Sequence, residues 1–360
     1  MVVVTSVRSR RSKPCFRFAQ TACWGRCPQT PLNVLCSFKV FFRANKLAVP
    51  GTPMNNVASI MKKHDPQYQP DSFITYLTDL PWKDQRETME RPFFSLSKGK
   101  RIKPIEYTSP DGKIFVKVTS NPEYGIATIW DADILIWAAS QIIRLVEAGH
   151  TNIPRTLRFF PYDLLKGLGR DPRGKRGYEL LRATLNRLRA TTVQTNIRSN
   201  GLKKANTFGW LDSWQEITDE YTGQSKGMAL TIPDWFYQGV LMRGGVLSIH
   251  PNYFELTGGF ERLLYRVARK HAGMQEQGFY ISVPTLFEKS GSDGIYRRFK
   301  HEIRKVVERD NIPEYHLAWI GETASDEPSV HMVRRSKLDP TDPSFRWEGK
   351  RDRRAPKECT

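Results

Sequence analysis

The sequence predicts an α+β protein with two tandem winged-helix domains (helix-turn-helix plus β-hairpin wing), led by a basic, disordered N-terminal extension. Three observations predict it. One order of elements occurs twice: helix, short strand, helix, glycine-rich turn, basic helix and β-hairpin run through residues 131–211 and again through 259–334. Within that order Asp163-Leu164-Leu165-Lys166 answers to Thr285-Leu286-Phe287-Glu288, and Gly177-Tyr178-Glu179-Leu180-Leu181 to Gly294-Ile295-Tyr296-Arg297-Arg298-Phe299. The cationic surplus also gathers on one unit, because residues 170–204 hold ten Lys or Arg against two acids. A helical triplet closed by a hairpin is the winged form of helix-turn-helix, and two copies in a basic chain suit a grip on two adjacent stretches of DNA.

The elements follow in order. Residues 1–64 carry eleven Lys or Arg and no acid, their apolar residues keep no period, and Pro14, Pro28, Pro31, Pro50 and Pro53 interrupt them. They read as an irregular extension, or as an over-extended reading frame with Met54 or Met61 as the true start instead of Met1. Residues 65–125 form a second segment, where Asp111-Gly112 between Ile105–Tyr107 and Lys113–Val118 signals a hairpin. Asp131 is a fitting N-cap for a helix with Ile134, Ala138, Ile142 and Leu145 on one face, stopped by Gly149. Leu157–Phe160 reads as a strand, Pro161 opens a short helix, and a basic helix follows from about Lys175 to Ala190. Thr191–Arg198 alternates as a strand, Asn200-Gly201 is a hairpin turn, and the return strand is expected from Asn206 to Ile217. Trp235, Phe236 and Tyr237, on a helix after Pro233, read as a core patch. The second unit has a helix over Phe260–His271, a strand over Phe279–Ile281, a helix capped by Ser282, a basic helix over Ile295–Arg309, and wing strands over Tyr315–Ile320 and Val330–Arg334. The expected division is therefore 1–64, 65–125, 126–225 (first winged helix), 226–335 (second) and a disordered tail, 336–360.

Each basic helix has one apolar stripe, Tyr178, Leu181, Leu185 and Leu188 in the first, Ile295, Phe299, Ile303 and Val306 in the second. Their other faces supply the candidate DNA contacts. In the first helix these are Lys175, Arg176, Arg182, Asn186, Arg187 and Arg189, and on the hairpin Arg198, Lys203 and Lys204. In the second they are Arg297, Arg298, His301, Arg304 and Lys305. Arg pairs bidentately with guanine and Asn with adenine in a major groove, while hairpin cations suit phosphate. The bland alternative is a solvated charged face.

A net charge of +19 calls for a polyanionic partner, nucleic acid before membrane. No apolar run is long enough to span a membrane, and the expected place is the cytoplasm. Cys15, Cys23, Cys27 and Cys36 lack the spacings of zinc families, and with Cys359 the count is odd, so neither metal nor disulfide framework is expected. Gly169–Arg176 imitates a phosphate loop but ends in Arg where a hydroxyl must hold Mg²⁺. No two of the seven histidines stand two apart, as the metal pair of a rolling-circle nickase would require. No cofactor and no catalytic activity are expected.

The sequence from about Phe73 to Arg334 resembles the replication initiator protein A family of bacterial plasmids. The phrases that carry it are Met89–Gly99 (Met89-Glu90-Arg91-Pro92-Phe93-Phe94 and onward), Phe160–Leu165, Leu185–Ile197, Phe208–Trp214, Leu263–His271 and Lys289–Ser292. The resemblance implies two winged helices that bind repeated sites in the double-stranded DNA of a plasmid origin. It also implies origin opening, recruitment of a host initiator and replicative helicase, and no catalysis. A homodimer is open. The alternatives are a winged-helix transcription repressor and, as an enzyme, an origin nickase.

Overall fold

In the computed structural model, residues 81–198, 205–222, 225–321 and 327–345 are described. The expectations for residues 1–64, for the five cysteines and for Lys203 and Lys204 lie outside them. The protein is mixed α/β. In chain order come β1 (Lys83–Gln85), β2 (Ile105–Thr108), β3 (Phe115–Ser120), α1 (Ala132–Glu147), β4 (Thr156–Phe159), α2 (Pro161–Gly167) and α3 (Lys175–Ala190). Then follow β5 (Thr191–Thr195), β6 (Asn206–Gly209), β7 (Ser213–Thr218), β8 (Ser225–Thr231), α4 (Asp234–Leu241) and β9 (Val246–Ser248). The remaining elements are α5 (Gly259–His271), β10 (Phe279–Ser282), α6 (Val283–Ser290), α7 (Tyr296–Arg309), β11 (Tyr315–Ile320) and β12 (Ser329–Arg334).

The repetition seen in sequence is a repetition of topology. In the order α1–β4–α2–α3–β7–β8 the sheet runs β4-β8-β7, and in α5–β10–α6–α7–β11–β12 it runs β10-β12-β11. The strand after the first helix thus pairs antiparallel with the last strand of the unit in both copies. The hairpin expected over residues 191–217 needs correction. Its return strand breaks at Trp210-Leu211, both fully buried, into β6 and β7. A Cβ at Gly209 would stand 3.2 Å from the Leu211 carbonyl and 3.3 Å from that of Arg189, so the chain turns there tightly across the end of α3. β5 and β6 leave the first unit's sheet and join β2 and β3 in a four-stranded sheet, β2-β3-β5-β6. The strand pair equivalent to β11–β12 is β7–β8, and the Asn200-Gly201 turn expected from sequence lies outside the described residues.

The expected boundary near residue 225 is not a gap in packing. One continuous hydrophobic core runs through both repeats, from Trp137 and Leu185 to Leu264 and Phe299. α1 shows why: its residues Ala132–Ile142 are buried on every side, although sequence periodicity suggests one apolar face. The additional cover includes β1, which pairs with β9, and α4. Ser140 serves this second face, its hydroxyl accepting from the Lys83 amide at 2.8 Å. Asp131 stands at the N-cap position of α1 as expected, but its side chain makes no capping hydrogen bond and is used elsewhere. Its carboxylate accepts from the Thr128 amide at 2.7 Å, from the Thr184 hydroxyl at 2.9 Å and from both ends of the Arg187 guanidinium. Residues 336–345, expected as tail, begin with a turn that Arg335 holds by donating to the Ser344 carbonyl at 2.6 Å.

The segment before β2 is fixed to the second repeat by Glu90. Its carboxylate meets Lys270 at 2.6 Å, His271 at 2.8 Å, Arg91 at 3.0 Å and Lys289 at 3.3 Å. Burial alone would raise its pKa, but hydrogen bonds from His271 and Lys270 and the charges of Lys270 and Arg91 prevail and hold it well below the carboxylate range. Glu90→Gln is expected to cost about 2 kcal/mol at neutral pH, the scale of a hydrogen bond to a charged group. A depressed folded pKa gives stability that is complete above the unfolded value, about 4.3, and is lost as pH falls below it. The gap between wild type and variant in urea unfolding should therefore close on acidification. A gap independent of pH would contradict the assignment.

Candidate nucleic-acid interface

α3 is set against the first repeat by Leu181, Thr184, Leu185 and Leu188, which leaves the opposite side of the helix facing out. Its start lies hard against the preceding turn, since a Cβ at Gly177 would come within 2.8 Å of the Asp171 carbonyl. Lys175, Arg176 and Arg189 are exposed. Lys175 has only a loose pairing with Glu179 at 3.7 Å, and an exposed pair of that kind contributes roughly 0–1 kcal/mol.

The other predicted residues of this helix are held. Arg182 forms a two-point ion pair with Glu216 of β7, at 2.8 and 2.9 Å. Asn186 accepts from the Trp214 indole, also on β7, at 3.1 Å. One lone pair of its amide oxygen is thereby occupied, which weakens the case for bidentate adenine reading. Arg187 lies differently from its expectation: it donates to the buried Asp131 carboxylate at 2.9 and 2.7 Å, so it holds α3 to the start of α1. Arg198 is likewise internal. Its guanidinium pairs with Glu87 at 2.9 Å, donates to the Trp235 carbonyl at 2.6 Å and lies 4.0 Å from the centre of the Trp235 ring. Both are built into the fold, and neither has a free guanidinium to offer a ligand. The Trp235 patch is core as expected, with Phe208 stacked on it at 4.6 Å. Arg170, in the turn that imitates a phosphate loop, donates to the Trp130 carbonyl and to Asp133 at 2.7 Å.

α7 is the barer of the two helices. Phe299, Ile303, Val306 and Val307 are buried, while Arg297, Arg298, His301, Arg304 and Lys305 are all exposed; Ile295, expected in the apolar stripe, instead precedes the helix and is exposed. Arg304 pairs with Glu308 at 3.0 Å and Lys305 with Glu302 at 3.3 Å, both on the surface of the same helix. Such pairs open at small cost when a phosphate competes. α6, positioned by the Ser282 hydroxyl accepting from the Thr285 amide, packs beside α7. The sequence reading missed Trp214 and Glu216, whose contacts with α3 depend on a strand pairing that local pattern does not reveal. It also missed a basic loop, residues 97–103, whose run of Lys98, Lys100, Arg101 and Lys103 was legible. Among the described residues no cluster of His, Cys, Asp and Glu could hold a metal ion, and no helix is long and apolar enough to cross a membrane.

Fold and charge define a class: a mixed α/β protein with two copies of one helix–strand unit, each presenting a cationic third helix. The chain belongs to the replication initiator protein A family, whose sequence model matches residues 83–317. It is 34% identical over 235 residues to a protein of Wigglesworthia glossinidia brevipalpis named for replication, covering 64% of this chain and 82% of that one. Among solved structures it is similar to domains 2 and 3 of RctB, with a TM-score of 0.49 and 16% identity over 68% of this chain and 95% of that one. It is also similar to the Pi initiator protein, solved in complex with iteron DNA, with a TM-score of 0.38 and 13% identity over 56% and 92% of the two chains.

Proposed function

We propose that this protein initiates plasmid replication by binding repeated sites in the double-stranded DNA of an origin, with each repeat acting as a winged helix and with no catalysis of its own. α3 and α7 are the recognition helices. The observation that carries this reading is their equivalence: each is the third helix of its unit, and each turns cationic side chains outward while Leu181, Leu185 and Leu188 in α3, and Phe299, Ile303 and Val306 in α7, face the core. Arg176, Arg189, Arg297, Arg298, His301, Arg304 and Lys305 are the contacts, with Lys175 beside them, and Arg182 joins them once its pair with Glu216 opens. Origin opening and recruitment of a host initiator and helicase follow from bound sites in this reading, and family membership supports them.

Footprinting on the DNA that flanks the coding region tests it. Two recognition helices in major grooves one turn apart should protect roughly 20 base pairs per monomer. The triple variant Arg297→Ala, Arg304→Ala, Lys305→Ala should shorten that footprint from one end only. A full-length footprint would remove the second repeat as a reader, and no protected site anywhere would sink the proposal.

A further inference from the structure

We infer that the basic loop of residues 97–103 and the start of α7 together form a third DNA-contacting site, a cleft that takes the sugar–phosphate backbone of one strand beside the stretch read by α7. The inference rests on the DNA-binding reading above and deepens it.

The loop is a strap, anchored on both sides. Before it, the Ser95 amide donates to the Ala127 carbonyl and the Ile129 amide to the Ser95 carbonyl, both at 2.9 Å. It is pressed onto the second repeat at two glycines. A Cβ at Gly259 would lie 2.1 Å from the Leu96 carbonyl, and one at Gly291, where φ is +58°, would lie 2.6 Å from Pro92 and 2.8 Å from Ile105. Arg101 ties the strap down by donating to the Gly291 carbonyl at 2.6 Å and to the Lys103 carbonyl at 3.0 Å. Its position relative to α7 is therefore set by packing.

Between strap and helix lies a cleft of about 590 Å³. Its cations are Lys100, Arg101, Lys103 and Arg298, against Asp293 and Glu302. Lys103 and Arg298 have no partner among the described residues, and both are exposed. Two isoleucines line the same cleft with unusual exposure, Ile102 at 51% and Ile295 at 76%. A solvated charged loop has no use for bare isoleucines, whereas a sugar–phosphate strand offers an apolar deoxyribose face next to each anionic phosphate. At about 100° per residue, Ile295, Arg298 and Glu302 stand on the flank adjoining the face of Arg297, His301, Arg304 and Lys305. A strand running along that face continues into the cleft.

The test uses the full chain with Lys100→Ala and Lys103→Ala together. Both side chains are exposed, and circular dichroism should register no change in fold. Affinity for origin duplex and for random duplex, titrated against salt, should fall by the same factor, and the log–log salt slope should drop by about 2, one counterion per lost phosphate contact. Lys100→Arg with Lys103→Arg should restore both. An unchanged slope would overturn the inference, as would a loss confined to the origin sequence, which would indicate base reading. The α7 triple variant in the same titration separates the two levels. If it loses affinity while the strap variant does not, only the strap inference fails; if neither changes, the second repeat fails as a DNA reader along with it; if the unaltered protein binds no origin duplex at all, the DNA-binding reading itself fails.

Discussion

Asp133→Ala is expected to destabilise the protein by about 3–5 kcal/mol, because it leaves two arginines facing an empty site within the core. Asp133 is 1% exposed near the start of α1. One carboxylate oxygen accepts from Arg262 of α5 at 2.6 Å and the other from Arg170 at 2.7 Å. Arg262 is itself buried, donates to the Leu256 carbonyl at 2.8 Å and lies over the Tyr253 ring at 4.9 Å, so it cannot swing out to water. The pair joins the helix that opens the first repeat to the helix that opens the second. Asp133→Asn keeps the volume but turns an amide N–H toward a guanidinium, so it should also destabilise. Guanidinium unfolding of both variants against wild type measures this. A loss below about 1 kcal/mol for the alanine variant would mean that the core absorbs the two charges without Asp133.

The combined replacement Lys175→Ala, Arg176→Ala and Arg189→Ala should weaken the complex with origin DNA by on the order of 3–5 kcal/mol while leaving unfolding unchanged. These are the cations of α3 that the fold leaves exposed. Each guanidinium that reads a guanine is worth roughly 1–3 kcal/mol, and three lost charges lower the salt slope by up to about 3. Arg187→Ala should behave in the opposite way. It costs stability through Asp131, and at a temperature where the variant is folded it should leave the salt slope alone. If Arg187→Ala lowered the slope and the triple variant did not, the division between structural and exposed arginines would be inverted.

The helices were readable in the chain because their signals are local. Apolar spacing marked α3, α5 and α7 to within a residue or so of their observed ends, Pro161 marked the start of α2, and Ser282 marked the cap of α6. The repeat was readable for the same reason, as was the collection of cations on α3 and α7. The pairing of strands was not. Residues 191–217 carry strand propensity throughout, but which strands pair depends on edges supplied from outside them, by β3 to β5 and by β8 to β7, and on the burial of Trp210.

The sequence by itself determined the mixed composition of helices and strands, the twofold repetition, the basic character of the third helix in each unit and, through its phrases, the family. Only the tertiary structure decided which of the basic side chains are left to meet a ligand. A cation's availability is set by whether a carboxylate approaches it, and the approaching groups come from far along the chain: Asp131 to Arg187, Glu216 to Arg182, Glu87 to Arg198. Charge is a property of the residue, but its neutralisation is a property of the packing.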